Sequence, residues 1–216
     1  MVTLLGGGEL SAATVSDLLT VAPNLVACDG AAARALEMGL VPDRVVGDMD
    51  SLDAQARARL SPEALHVIAE QDTTDFDKAL RTIEAPLILG AGFMGGRLDH
   101  ELACYNALVR HADRRCILVG EHDICFHAAG QVALDLAVGT RVSLFPMAPL
   151  RVSASGLKWP LDRLELAPWG RVGTSNAAVA PRVEIRPEAH GLLVILPRDA
   201  LTAAVTALTR QAGLSH

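Results

Sequence analysis

Apolar and acidic residues meet in the stretch Val45-Val46-Gly47-Asp48-Met49-Asp50-Ser51-Leu52-Asp53. The two valines predict the buried end of a β-strand, and Ser51 is a candidate N-cap for a helix that starts near Asp53. Asp48 and Asp50 are two positions apart, so in an extended backbone their side chains point to the same side. Two carboxylates held together in this way indicate a magnesium site, because Mg²⁺ prefers hard oxygen ligands. A solvated acidic loop is the alternative for such a short motif.

Strands and helices alternate on both sides of this stretch. Apolar runs predict strands over residues 2–5, 25–28, 44–46, 65–68, 87–89 and 116–119, and the segments between them predict helices over residues 11–20, 31–38, 54–60, 75–83 and 99–112. This alternation is typical of a mostly parallel sheet with helices on both faces. Ligands of such sheets bind beyond the carboxyl ends of the strands, where the glycine and acidic clusters of this chain lie.

The pattern changes after residue 120. Short strand-like runs cover residues 122–127, 131–137, 141–145, 151–154, 182–185 and 192–196, and one helix follows over residues 200–210. Such spacing predicts a smaller antiparallel β-sandwich domain. The expected fold is therefore α/β, with a mostly parallel α/β domain over residues 1–122 and a smaller antiparallel β-sandwich domain over residues 123–216.

Composition excludes several classes of protein. The net charge is −6 and the chain has two lysines, Lys78 and Lys158, which argues against binding of nucleic acid or of an anionic membrane surface. No segment has the roughly 18 consecutive apolar residues that a membrane span requires, and the first residues lack the basic region of a signal peptide. The four cysteines form no C-x-x-C pair, so we expect reduced thiols and a cytoplasmic protein.

A second acidic cluster reads Asp72-Thr73-Thr74-Asp75-Phe76-Asp77-Lys78. Thr74 is a candidate N-cap, and acidic residues in the following turn suit the helix dipole. A helix start alone does not require so many aspartates at the end of a strand, which favours a binding site. Lys78 can pair with Asp75 or Asp77, or reach a phosphate.

A third cluster spans Gly90–His100 and contains a formal G-x-G-x-x-G that begins at Gly90. The motif follows a strand and precedes a helix, as in a dinucleotide-binding fold. Asp99 lies where the helix N-terminus would receive a pyrophosphate, and its charge would repel that anion. Arg97 beside Asp99 fits a metal–polyphosphate site better, with the arginine on a phosphate oxygen and the aspartate on a metal or its water. The chain lacks a P-loop, H-E-x-x-H and G-x-S-x-G.

Taken together, these clusters resemble the thiamine pyrophosphokinase (thiamine diphosphokinase) family. Its pattern of G-D-x-D-S, D-x-T-D-x-x-K-A, G-G-R-x-D-H, G-L-x-W and S-N is matched, in order and over nearly the whole chain, by Gly47–Ser51, Asp72–Ala79, Gly95–His100, Gly156–Trp159 and Ser175–Asn176. The resemblance implies that residues 1–122 are the catalytic, ATP- and Mg-binding domain and residues 123–216 the thiamine-binding domain. It implies a homodimer with active sites between subunits. It also implies Mg²⁺-dependent transfer of pyrophosphate from ATP to the hydroxyl of thiamine, giving thiamine diphosphate and AMP.

The resemblance also implies roles for individual residues. The catalytic and magnesium-binding residues would be Asp48, Asp50, Asp75 and Asp99, with Asp75 or Asp99 accepting the hydroxyl proton. Contacts to ATP and its phosphates would come from Gln71, Thr74 and Arg97, to which we add Asp29, Gly30 and Lys78 from their positions in the acidic and glycine clusters. The thiamine pocket would include Trp159, Ser175 and Asn176.

Two other hypotheses belong to different classes. A dinucleotide-dependent oxidoreductase would use the turn at Gly90 and bind its cofactor without metal, but it leaves the aspartate clusters unexplained. A non-catalytic protein that senses a nucleotide or thiamine would keep the fold without turnover. The acidic positions are all present, so the sequence favours the enzyme.

Overall fold

The computed structural model describes residues 1–70 and 72–212. The chain divides into two compact units. The first comprises Met1–Ala107 with Leu118–Gly120, and the second comprises Leu108–Ile117 with the chain from Glu121 onward.

Eleven elements precede residue 120. They alternate as the sequence predicts: β1 Val2–Leu5, α1 Ala12–Val21, β2 Asn24–Cys28, α2 Asp29–Glu37, β3 Arg44–Gly47, α3 Ala54–Ala58, β4 Leu65–Val67, α4 Asp75–Thr82, β5 Ile88–Ala91, α5 Leu98–Arg110 and β6 Cys116–Val119. A short 3-10 turn covers Pro62–Ala64.

The sheet of the first unit is parallel and runs in the order β5-β1-β2-β3-β4. β1 and β5 are buried along their whole length, as expected for strands covered on both faces. Strands β2, β3 and β4 follow one another on one side of β1, whereas β5 pairs on its other side. The direction of strand order therefore reverses at β1, and a binding crevice is expected at the carboxyl ends of β1 and β5.

Side-chain caps fix where three helices begin. Ser11 accepts a hydrogen bond from the Thr14 N–H at 3.1 Å, and Thr74 accepts one from the Asp77 N–H at 3.3 Å. The predicted Ser51 cap is wrong. The N-cap of α3 is Asp53, which accepts a hydrogen bond from the Ala56 N–H at 2.7 Å. Both residue types are good caps, so composition alone could not choose between them.

The second unit contains eight strands and one α-helix in its described part. These are β7 Asp123–Ala128, β8 Val132–Asp135, β9 Arg141–Pro146, β10 Leu150–Ser155, β11 Leu161–Leu166, β12 Gly173–Ala177, β13 Arg182–Pro187, β14 Leu192–Pro197 and α6 Leu201–Ala212. One antiparallel array runs β12-β9-β14-β7, and a separate antiparallel sheet runs β11-β10-β13-β8. The predicted fold class, a mostly parallel α/β part followed by antiparallel β-sheets, is confirmed.

Two of these strands, β11 and β12, were not predicted from the sequence. β11 is mostly accessible and carries charged residues, and β12 reads Gly-Thr-Ser-Asn-Ala. Neither has the apolar alternation that marks a half-buried strand. The four cysteines are buried and free, as predicted. No helix in the described part of the chain combines the length and apolar character needed to cross a membrane.

Candidate active site

A cleft of about 680 Å³ opens in the first unit at the carboxyl ends of the parallel strands. Its wall is formed by the residues that follow β1, β2, β3 and β5 and by the first turns of α4 and α5. Seven of the predicted site residues line it: Asp29, Gly30, Asp48, Thr74, Asp75, Lys78 and Arg97. The reversal of strand order at β1 accounts for its location.

The backbone from Asp48 to Asp50, in the loop after β3, is not extended as predicted from the sequence. Met49 has a φ of +68°, and the Asp50 N–H donates a hydrogen bond of 3.1 Å to Asp48 Oδ1. The expectation that Asp48 and Asp50 point to the same side is therefore wrong, because side chains alternate in this way only along an extended chain. Asp48 lines the cleft, whereas Asp50 is exposed and is not among the described wall residues.

Asp29 holds this loop in place. Its carboxylate is 1 % exposed and accepts hydrogen bonds from the Met49 N–H at 2.9 Å and from the Gly30 N–H at 2.6 Å. Gly47 permits the close approach, since a Cβ at this position would lie 2.7 Å from Asp29 Cγ. Asp29 thus supports the turn that presents Asp48, and its predicted contact with ATP stays a prediction.

Lys78 lies between two carboxylates of the cleft. Its ammonium is 3.1 Å from Asp75 Oδ1 and 3.7 Å from Asp48 Oδ2, and the side chain is 2 % exposed. Of the two aspartates that the sequence offered as partners, the structure selects Asp75, and it adds Asp48, which was not predicted. The charge of Lys78 is therefore already engaged by carboxylates, and its predicted contact with a phosphate remains untested.

The crowding of charges shifts the pKa values of these groups. Burial, with the neighbouring charge of Asp75 and with Asp48, raises the pKa of Asp29 to about 6. The hydrogen bond from the Asp50 backbone, with smaller contributions from Asp29 and Lys78, lowers the pKa of Asp48. Burial alone would lower the pKa of Lys78, but the hydrogen bond and charge of Asp75 outweigh it and raise the pKa. The cluster favours a bound positive charge.

The first turn of α4 brings Thr74 and Asp75 to the cleft. Thr74 uses its hydroxyl as the helix cap, and Phe76 packs on Phe93 with ring centroids 4.5 Å apart. This contact attaches the start of α4 to the loop after β5. Gln71, predicted to contact ATP, lies outside the described residues.

Arg97 and Asp99 form an exposed ion pair with two hydrogen bonds, Nε to Oδ1 at 3.2 Å and Nη2 to Oδ2 at 2.6 Å. The hydrogen bond from Arg97 lowers the pKa of Asp99 to about 2, and Asp99 in turn raises the pKa of Arg97. Arg97 lines the cleft, but Asp99 is not among its described wall residues. The structure therefore brings two of the four predicted magnesium ligands, Asp48 and Asp75, to the cleft wall.

Within the G-x-G-x-x-G motif, Gly92 allows the loop after β5 to pack on the loop after β1. Gly92 has a φ of +80°, and a Cβ there would lie 2.4 Å from the Gly6 carbonyl oxygen. The Gly8 N–H donates a hydrogen bond of 2.9 Å to the Gly92 carbonyl. Gly92 thus lets the loop after β5 pack on the loop after β1, which explains this glycine without a dinucleotide.

Several wall residues were not identified from the sequence. The Arg34 guanidinium donates hydrogen bonds to the Gly8 and Leu10 carbonyls, and Glu101 accepts one from the Gly95 N–H at 2.9 Å. Cys28 and Cys104 also line the cleft. Arg34 and Glu101 belong to predicted helices, where a polar residue is ordinarily solvated, so no sequence signal distinguished them.

The carboxylates of the cleft match the ligand preference of Mg²⁺. Among the described residues, no three histidine, cysteine, aspartate or glutamate side chains converge closely enough to hold a metal ion by themselves. Mg²⁺ commonly uses one or two protein carboxylates and completes its shell with water and substrate phosphates. Asp48 and Asp75, which both approach the single cation of Lys78, form such a pair.

The three predicted thiamine contacts lie in the second unit. Asn176 is buried and its side chain is bonded twice to the Trp159 backbone: Nδ2 donates to the Trp159 carbonyl at 2.7 Å, and Oδ1 accepts from the Trp159 N–H at 3.1 Å. The Trp159 ring is 55 % exposed, with the Lys158 ammonium 4.8 Å from its centroid. Ser175 has a φ of +61°, and its N–H donates to Ser143 Oγ at 3.0 Å. Asn176 therefore holds the backbone of Trp159 in place.

Comparison with known proteins gives a consistent picture. The family model for the catalytic domain of thiamin pyrophosphokinase matches residues 15–119, and the model for its vitamin B1 binding domain matches residues 130–190. Thiamine pyrophosphokinase 1 of Oryza sativa subsp. japonica is 29 % identical over 183 residues, which cover 76 % of this chain and 69 % of that protein. Thiamine pyrophosphokinase of Bacillus subtilis (strain 168) is 26 % identical over 79 % of this chain and 85 % of its own length.

Solved structures share the fold. The crystal structure of thiamine pyrophosphokinase from Bacillus subtilis superposes with a TM-score of 0.71 at 22 % identity, covering 91 % of this chain and 97 % of that one. Thiamin pyrophosphokinase from Candida albicans gives a TM-score of 0.74 at 16 % identity, over 91 % and 88 % of the two chains.

Proposed function

This chain belongs to the thiamine pyrophosphokinase family, and we propose that it transfers the diphosphate group of ATP to the hydroxyl of thiamine, releasing AMP and forming thiamine diphosphate. The observation that carries the proposal is the cleft of the first unit. It combines two carboxylates, the ion-paired Lys78 and the exposed Arg97 at the carboxyl ends of parallel strands. Positioning and charge stabilisation of this kind are what phosphoryl transfer requires.

The carboxylate pair is the proposed holder of Mg²⁺. Asp48 and Asp75 would bind it, and Asp50 and Asp99 stay predicted ligands that line no described part of the cleft wall. When bound, Mg²⁺ neutralises charge on the phosphate oxygens. Arg97, 71 % exposed in its pair with Asp99, is free to exchange that partner for a phosphate oxygen.

Asp75 is the better placed of the two candidate bases. It lines the cleft beside Lys78, whereas Asp99 is not among the described residues of the cleft wall. Asp75 would accept the proton of the thiamine hydroxyl as that oxygen attacks the β-phosphorus of ATP. AMP then leaves as the α,β-bridging bond breaks.

The second unit would contribute to recognition of thiamine. The accessible face of Trp159 suits a cationic thiazolium ring, since an aromatic face attracts a cation. We include in the proposal a homodimer with active sites between subunits, as the family resemblance implies. The cytoplasmic location rests on four free, buried cysteines.

The test measures AMP and thiamine diphosphate formed from ATP and thiamine, first with Mg²⁺ and then with EDTA. We expect both products only when thiamine and Mg²⁺ are present. Asp48→Asn should reduce kcat at least about 100-fold while the protein stays folded, because charge-stabilising groups of an active site contribute on this scale. Asp113→Asn, at an exposed aspartate paired with Arg114, is the control and should leave the rate unchanged.

Two results would contradict the proposal. Formation of ADP would mean that a single phosphate is transferred. Tight binding of thiamine or ATP by calorimetry with no product would indicate a sensing protein instead of an enzyme.

A further inference from the structure

One guanidinium near the cleft, that of Arg81, joins three side chains. Its Nη2 lies 3.0 Å from both Glu70 carboxylate oxygens and 3.3 Å from Thr73 Oγ1. Its Nε lies 3.3 Å from Asp77 Oδ2. Thr73 Oγ1 also donates a hydrogen bond of 2.5 Å to Glu70 Oε1, so Glu70, Thr73 and Arg81 form a closed triangle.

The triangle joins two segments with different roles. Arg81 belongs to the last turn of α4, and Glu70 and Thr73 precede that helix. Thr73 lines the cleft directly, as do the next two residues, Thr74 and Asp75. A shift of Thr73 therefore also shifts Thr74, which caps the helix, and Asp75, one of the carboxylates of the site.

A contact within α4, between Arg81 and Asp77, also orients the guanidinium. Asp77 and Arg81 are one turn apart on α4, and the Asp77 carboxylate is 3 % exposed. A buried carboxylate restricts where the arginine can lie, and the planar fork of arginine then presents its other nitrogen in a defined direction. Glu70 is 32 % exposed, so the triangle is accessible to solvent on one side and contributes little to global stability.

We infer that Glu70 and Arg81 are positioning residues for the nucleotide site, because together they hold the Thr73–Asp75 segment against the cleft. The inference rests on the proposed function for the identity of the ligand, ATP. Neither residue lines the cleft. Their effect on ATP is exerted through Thr73.

A positioning role of this kind predicts a particular kinetic effect. Loosening the Thr73–Asp75 segment weakens contacts that ATP makes in both the ground state and the transition state. The KM for ATP then rises, and kcat falls as well because Asp75, the proposed base, lies in the same segment. A purely structural role would instead lower the melting temperature and leave the KM of the remaining folded protein unchanged.

The main variant is Glu70→Gln, which removes the negative charge of Glu70 and leaves the Arg81–Asp77 pair intact. We expect the KM for ATP to rise about three- to tenfold, with kcat reduced by no more than about the same factor, because a misplacement of about 1 Å can cost about 100-fold and the side chains that bind ATP are kept. Arg81→Lys keeps the positive charge but lacks the fork, so it should raise KM by a similar factor. The double variant should resemble either single one, since both changes break one triangle.

The matched control is Glu165→Gln, which removes an exposed Glu–Arg pair of similar geometry, 2.7 Å from Arg151, in the second unit. It should leave KM and kcat unchanged. Calorimetric titration with Mg-ATP measures nucleotide affinity independently of turnover, and thermal unfolding reports the folded state of each variant.

Three outcomes decide the inference. Weaker ATP binding in Glu70→Gln with an unchanged melting temperature supports it. Unchanged ATP affinity in both Glu70→Gln and Arg81→Lys overturns it, as does a KM effect in the Glu165→Gln control. If the wild-type protein binds Mg-ATP but forms no thiamine diphosphate, the proposed function fails, and the calorimetric comparison still tests the triangle.

Discussion

Lys78 donates a hydrogen bond of 3.1 Å to Asp75 from a side chain that is only 2 % exposed. The same ammonium lies 3.7 Å from Oδ2 of Asp48, which belongs to the loop after β3. Lys78 thus cross-links the loop after β3 to the first turn of α4. The buried ammonium supplies part of the positive charge that the aspartates of the cleft require.

Replacement of Lys78 by methionine should lower the free energy of unfolding. Loss of one partner from a fully buried ion pair costs about 3–5 kcal/mol. Here the carboxylates are 36 % and 22 % exposed, so solvent screens part of their repulsion, and we expect about 1–2 kcal/mol. Urea unfolding in EDTA at neutral pH measures the change.

The exposed lysine of the chain, Lys158, provides the control. Lys158→Met should alter the free energy of unfolding by no more than about 0.5 kcal/mol. Equal stability of the two variants would show that the charge of Lys78 contributes nothing to the cluster.

Gly92→Ala should be strongly destabilising. A φ of +80° strains any residue with a Cβ, at a cost of about 1–2 kcal/mol. The added Cβ would also lie 2.4 Å from the Gly6 carbonyl, so the two loops must separate. Gly39 has a φ of +77° with nothing within 4 Å, so Gly39→Ala isolates the backbone strain. Chemical unfolding should rank Gly92→Ala below Gly39→Ala by at least about 1 kcal/mol, and equal values would contradict the loop-packing role.

The strands of the parallel sheet were predictable because burial on both faces favours near-continuous apolar runs, as in Val2–Leu5 and Ile88–Ala91. β11 and β12 were not predictable. Their register is set by hydrogen bonds to β10 and β9, and their own residues carry little apolar pattern.

The site was predictable in composition but only partly in geometry. The position of Thr74 at the start of α4 was predictable from local capping chemistry, which depends on neighbouring residues. The turn at Met49 was not, because its left-handed φ is supported by Asp29, which is 20 residues away in the sequence. The assumption of an extended chain from Asp48 to Asp50 failed for this reason. Partners distant in sequence leave no signal in the local pattern.

Asn176→Asp should destabilise the second unit and weaken thiamine binding. The amide nitrogen donates to the Trp159 carbonyl at 2.7 Å, and an aspartate would place a second oxygen against that carbonyl. A buried hydrogen bond lost in this way costs about 1–3 kcal/mol. Urea unfolding and calorimetric titration with thiamine measure the two effects. Thr174→Ala, at an exposed neighbour, should change neither, and an unaltered Asn176→Asp protein would refute the role of Asn176 in holding the backbone of Trp159 in place.

We expect the free energy of unfolding to fall in mild acid because of His127. Its Nε2 accepts a hydrogen bond of 3.1 Å from the Gly191 N–H, which requires a neutral imidazole. Burial, with a smaller contribution from His190, lowers the pKa of His127 to about 4. An unfolded histidine titrates near pH 6.5, so between these values the unfolded chain binds the additional proton. The stability contributed by His127 is therefore complete above about pH 6.5 and is lost as the pH falls toward about 4.

The free energy of unfolding, measured by urea at intervals from pH 7.5 to pH 4.5, tests this assignment. The loss attributable to His127 should amount to at most about 3 kcal/mol, since each pKa unit corresponds to about 1.4 kcal/mol. His127→Gln keeps an acceptor oxygen for the Gly191 N–H but does not titrate, so its stability should fall less steeply with decreasing pH than that of the wild type. His66→Gln, at an exposed histidine, should retain the wild-type slope. Parallel curves for His127→Gln and wild type would mean that other groups cause the acid sensitivity.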